Sequence, residues 1–94
     1  MSPAQLIANA IKRRRVIQFR YKLQVRQVEP HLLGYPKGSD LTLSAWQITG
    51  TKPGWRDFPI SKMTELTPTD RRFASARQGY NPNDKTMSRI VARL

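Results

Sequence analysis

The apolar residues change their period at Arg14-Arg15. Before it, Leu6, Ile7, Ala10 and Ile11 recur at helical spacing and make one stripe. After it, Ile17, Phe19, Tyr21 and Leu23 alternate with Gln18, Arg20 and Lys22, as in a strand with one face on a core and cations on the other. Ser2-Pro3-Ala4-Gln5 supplies a helix start, with a capping Ser2, a Pro suited to the first turn, and Gln5 placed to reach back. The pattern therefore predicts a helix from Pro3 to about Arg14 and a strand from Val16 to Leu23.

Further along, Val25 to Leu33 reads as a second strand, with Arg26, Val28, Pro30 and Leu32 on one parity and Glu29 and His31 on the other. Pro30 implies an edge position or a bulge. Gly34 to Asp40 reads as a loop, Leu41 to Thr49 as a third strand, Gly50 to Gly54 as a turn, Trp55 to Ile60 as a fourth strand and Lys62 to Leu66 as a short fifth. Beyond Asp70 the chain turns polar and basic. Gly79 to Asp84 is loop-like, and Asn83 or Asp84 is placed to cap a last helix with the stripe Met87, Ile90, Val91 and Leu94. Short strands, frequent turns and a leading helix predict a mainly β (α+β) domain, a small and strongly bent barrel flanked by an N-terminal helix and a short C-terminal helix. The expected division is residues 1–70 for the barrel and its helix and 71–94 for a basic extension.

Charge adds a partner class. The 94 residues carry 17 Lys and Arg against 6 Asp and Glu, a formal net charge of +11. Charge of one sign at this density raises the free energy of the compact state unless an anionic partner or counter-ions screen it, so nucleic acid or a nucleotide phosphate is the expected partner. A membrane surface is disfavoured, because the arginines alternate along strands and form no long amphipathic helix. Cysteine is absent, which excludes disulfides, Cys-ligated zinc and thiol nucleophiles. With no apolar run near the length of a membrane span and no signal-peptide core, the cytoplasm is the expected compartment.

Catalytic signatures are missing as well. The single histidine builds no metal site alone, the six carboxylates are scattered, and there is no HExxH, GxSxG or P-loop. A non-enzymatic protein without metal or cofactor is expected. Two arginines are more informative: Arg26 shares parity with Val28, and Arg56 with Phe58 and Ile60, so both aim toward the interior. An unpaired buried guanidinium costs several kcal/mol. Each therefore lies at the rim, pairs with Glu29 or Asp57, or awaits an anionic ligand. Tyr21 belongs to the core face yet can border a pocket. His31 reads as a surface or boundary residue. Trp46 is expected beneath one of the helices, and Trp55 and Tyr35, near loops, are candidate base-stacking platforms.

Four segments in order, Ile11-x-x-Arg14 to Tyr21, Arg26 to Leu33, Leu41 to Ala45 and Arg56 to Met63, resemble the WYL domain over roughly residues 4 to 67. The resemblance implies a five-stranded barrel of the Sm-like, SH3-like type with a helix at its start. It also implies a ligand-sensing module of the kind found in bacterial and phage-defence transcription regulators, some of which bind single-stranded nucleic acid or nucleotide fragments. The family's basic pocket falls on Tyr21, Arg26, His31 and Arg56, with Lys62 beside them. At the tripeptide that names the family this chain has Leu41-Thr42-Leu43 and keeps only the last residue. A solitary WYL-like domain, without the helix-turn-helix of the regulators, is the expectation.

Two functions follow. In the first, the pocket residues hold a phosphate or single-stranded nucleic acid while Lys12, Arg13, Arg14, Arg15, Arg20 and Lys22 supply salt-sensitive attraction. In the second, the stripe Met87, Ile90, Val91, Leu94 docks a protein partner or a second copy.

Overall fold

A computed structural model describes residues 1–94. The helix α1 spans Pro3–Arg13, opened by the expected capping box: Gln5 N–H donates to Ser2 Oγ at 3.1 Å, and Ser2 N–H donates to Gln5 Oε1 at 2.9 Å. It stops at Arg14, which is left-handed at φ 52° and turns the chain sharply into the first strand. Six strands follow: β1 Arg15–Tyr21, β2 Gln24–Pro36, β3 Thr42–Thr49, β4 Gly54–Pro59, β5 Thr64–Arg72 and β6 Met87–Arg93, with a 3₁₀ turn at Ile60–Lys62 between β4 and β5.

All pairings are antiparallel, in the order β4-β3-β2-β1-β5, and β6 also pairs with β2. The 13-residue β2 organises the sheet. Its first half pairs with β1 (Ile17 opposite Val28) and its second half with β6 (Leu33 opposite Ala92), so β6 takes the edge that β1 leaves.

Two expectations are corrected here. The barrel is not closed: β4 and β5 end the sheet without bonding each other, and α1 lies across the inner face in place of closure. Nor is there a C-terminal helix, because Met87–Arg93 is a strand. The misleading stripe has a physical origin. Register shifts between Leu33 and Gly34 and between Tyr35 and Pro36 bend β6, so Met87 and Ile90 look helically spaced while Ile90, Ala92 and Leu94 follow period two. Gly34 is required for this approach, since a Cβ there would lie 2.6 Å from the Arg89 carbonyl oxygen.

The inner face buries Ile7, Ala10 and Ile11 of α1 against Ile17, Phe19, Val28, Leu33, Leu43, Ala45 and Phe58. A bulge between Pro30 and Leu32 changes the parity of β2, which is how Val28 and Leu33 reach the same core. Leu41 packs on this core and Leu43 lies within it, so the two leucines of the Leu41-Thr42-Leu43 tripeptide serve packing. No helix is long and apolar enough to cross a membrane.

The opposite face is covered as well. After β5 the chain crosses it as a strap, residues 73–80. Phe73 stacks on His31 at 5.4 Å, Trp55 stacks on Tyr80 at 6.4 Å and donates Nε1–H to the Gln78 carbonyl at 2.9 Å, and Tyr80 Oη donates to Leu94 O at 3.0 Å. Trp46 belongs to this face and not beneath a helix; the Arg77 guanidinium lies 5.1 Å from its ring. Trp55, expected as a free platform, is engaged with His31, Trp46 and Tyr80.

Candidate anion-binding site

Inner-face alternation carries Arg26 of β2, Gln47 of β3 and Arg56 of β4 to the same end of the sheet, where the β3–β4 loop folds over them. Arg26 is 7% exposed. Its Nε donates to the Tyr21 carbonyl at 3.3 Å and its Nη1 to Gln47 Oε1 at 3.0 Å, and its guanidinium lies over the Tyr21 ring at 5.2 Å. Gln47 Nε2 in turn donates to Thr51 Oγ1 at 2.7 Å and to the Lys52 carbonyl at 2.9 Å. The same carbonyl accepts from Arg56 Nη2 at 3.0 Å, while Arg56 Nη1 bonds the Trp55 carbonyl.

The two guanidiniums are thus joined through one amide and one carbonyl. Neither meets a carboxylate, the ion pairs being Arg20 with Glu65 and Arg77 with Glu29. Neutral dipoles satisfy the geometry of a guanidinium but leave its charge uncancelled. The charge of both guanidiniums is therefore left without a carboxylate counter-charge.

Tyr21 connects this centre to an open groove of about 590 Å³ that it lines with Lys62, Ser61, Thr42, Asp40 and Asp57. Tyr21 meets Phe58 edge-on at 5.0 Å, with the Arg26 guanidinium 5.9 Å from the Phe58 ring, and Lys22, in the β1–β2 turn, lies 5.6 Å from the Tyr21 ring. Of the five residues expected at the site, Tyr21, Arg26 and Arg56 come together and Lys62 joins through the groove. His31 does not. It is sealed at 0% exposure beneath the strap on the opposite face, where a surface or boundary place was expected.

His31 is held as a neutral imidazole. Nε2 accepts the Arg77 backbone N–H at 3.1 Å, so the proton is on Nδ1, which donates to the Glu29 carbonyl at 2.7 Å. Burial pushes its pKa below the ordinary range, against the opposing pull of the Glu29 carbonyl and carboxylate, and nearby Arg77 lowers it further. The unfolded chain therefore takes up a proton before the folded one does. The stability due to neutral His31 is complete above about pH 6.5 and is lost as pH falls toward the lowered folded value. Melting temperature is expected to drop between pH 7.5 and 5.5. A His31→Gln variant, less stable at pH 7.5, should show a much smaller drop; an equal drop in both proteins would assign the effect elsewhere.

The secondary basic residues disperse. Arg13 and Arg15 flank a cavity beside α1, Arg14 Nη1 donates to the Ala74 carbonyl at 3.0 Å, and Arg20 is exposed, 3.9 Å from Glu65. Sequence reasoning missed Gln47 and the Lys52 carbonyl. A signal existed for the first, since Gln47 is a polar residue sharing parity with Leu43 and Ala45.

A helix laid across one face of a small, bent antiparallel sheet, with uncompensated arginines at one end, places the chain among small mainly β domains. The family model of the WYL domain matches residues 4–68, and the chain belongs to that family. WYL domains are associated with ligand-sensing or regulatory roles. No curated protein and no solved structure matches the chain.

Proposed function

We propose that this WYL domain is a binding module for the phosphates of single-stranded nucleic acid or of a nucleotide, with Arg26 and Arg56 as the anion-contacting pair. The observation that carries this reading is a nearly buried guanidinium, Arg26, whose partners are neutral. The Lys52 carbonyl stands where a phosphate oxygen would be received. Its loop is exposed and bracketed by Gly50 at φ 130° and Gly54 at φ 142°, so it can move aside without rearranging β3 or β4. A phosphate there would accept from Arg56 Nη2 and Gln47 Nε2, the two donors that the carbonyl now satisfies, and by displacing the Gln47 amide would also receive Arg26 Nη1. Charge-assisted bonds of this kind are about twice as strong as neutral ones. The adjoining groove suits a base better than a second phosphate, because Asp40 and Asp57 repel anions but accept from exocyclic amino groups. The net charge of +11 draws the polyanion in.

The test is fluorescence anisotropy with short single-stranded RNA and DNA at two salt concentrations. Affinity should fall by about 0.7 log unit per log unit of salt for each phosphate neutralised. Arg56→Ala and the volume-conserving Arg26→Met should each weaken binding roughly 10-fold or more, as loss of a charged hydrogen bond requires. Unchanged affinity in both variants, with folded circular dichroism spectra, rules the pair out.

A further inference from the structure

A second basic site lies beside α1, and it does not depend on Arg26 or Arg56. There a cavity of about 220 Å³ opens between α1 and β5. Leu6, Ala10 and Pro68 make its apolar part, Arg13 and Arg15 its cationic part, and Asn9 lies at its edge; no carboxylate lines it. Three observations converge. Arg15 Nε is buried and has no hydrogen-bond partner, the sole buried side-chain donor or acceptor in the protein left so. Such a group ordinarily costs about 1–3 kcal/mol and calls for an explanation. Arg15 also stands directly opposite Arg72 in the β1–β5 ladder, a like-charge cross-strand pair that disfavours the sheet. Finally, no carboxylate pairs with Arg13, Arg15 or Arg72.

We infer that this cavity is a binding site for a compact organic anion, a carboxylate carrying a hydrocarbon body about the size of one ring. The carboxylate would meet the guanidiniums that Arg13 and Arg15 bring to the cavity and relieve the repulsion between Arg15 and Arg72, while the hydrocarbon covers Leu6, Ala10 and Pro68. The volume lies below the range of drug-sized ligand sites, so the ligand is small. A planar carboxylate fits a guanidinium edge. An inorganic anion would satisfy the charge and leave the apolar part wet.

The experiment is titration of the isotopically labelled full chain with benzoate, acetate and inorganic phosphate at constant ionic strength, read by amide chemical shifts. Benzoate is expected to give saturable shifts at Asn9, Ala10 and Arg15 in the millimolar range and to raise the melting temperature; acetate and phosphate should bind at least ten times more weakly. Arg15→Gln should abolish the benzoate shifts, and Arg26→Met should leave them intact, which separates this site from the nucleic-acid reading. Asn9 is exposed, so Asn9→Tyr obstructs the cavity from outside without entering the core, and it should have the same effect as Arg15→Gln. Equal response to all three anions, benzoate shifts that survive both variants, or no saturation with benzoate at tens of millimolar would each overturn the inference.

Discussion

Truncation after Gly79 is expected to unfold most of the population at 25 °C. The deleted residues look like an appendage, yet they carry β6, which extends the edge of β2 from Leu32 to Pro36. They also carry Tyr80, whose hydroxyl bonds the Leu94 carbonyl at 3.0 Å, and Leu94, whose N–H donates to the His31 carbonyl at 2.8 Å. Ala92 and Leu94 pack on the main core. Removing them costs on the order of 5 kcal/mol, comparable with the whole stability of a small domain. Thermal melts followed by circular dichroism should fall by about 20 °C or more. The exposed edge of β2 would then favour aggregation.

Gly34→Ala tests the same docking with one atom. Its Cβ would clash with backbone of β6 and not with a flexible side-chain end, so β6 must shift, at a cost of roughly 2–3 kcal/mol. A truncated chain that melts like the full one would show that β6 contributes nothing to the fold. This outcome also bears on self-association: Met87, Ile90 and Leu94 are half-buried in the chain's own structure, and Val91, at 44% exposure, is the member of that stripe left facing water.

Legibility in the sequence followed the strength of local signals. The capping box and the stripe of α1 were readable because both are set within a few residues. Alternation at the start of β2 and along β4 puts Arg26 and Arg56 on the inner face, as the structure has them, since one buried face fixes parity. What failed depended on long-range pairing. Ile90 and Val91 are β-branched and favour a strand, but their run is short and a bulged strand imitates helical spacing, so only the partner β2 decides. His31 was misplaced for a related reason. Its burial comes from Phe73, Arg77 and Tyr80, more than forty positions away, in a segment whose polar composition concealed three anchoring contacts. Closure is one way to remove exposed sheet edges; this chain instead leaves β4 and β5 unpaired with each other and covers its core with α1.

Those anchors support a final expected result, that Arg77→Met destabilises the domain by about 2–3 kcal/mol while Glu29→Gln with Arg77→Met recovers much of the loss. Glu29 is 3% exposed and is held bidentately, Arg77 Nε donating to Oε1 at 2.7 Å and Nη2 to Oε2 at 3.0 Å. The bond to Glu29 raises the Arg77 pKa, against a smaller opposing effect of burial. Removing one partner of a fully buried pair costs about 3–5 kcal/mol, because the remaining charge stays without compensation. Arg77 is 44% exposed, so water screens its end of the pair and the lower figure applies. The double variant removes the stranded carboxylate and keeps the volume. In urea titrations the midpoint should move with an unchanged slope, and the cycle should give a coupling of at least 1 kcal/mol. Because Arg77 lies on the face opposite Arg26, Arg77→Met should leave oligonucleotide affinity within about twofold under conditions where the variant is folded. A loss equal to that of Arg26→Met would mean that the strap face contributes to binding, and the phosphate site would then have to include it.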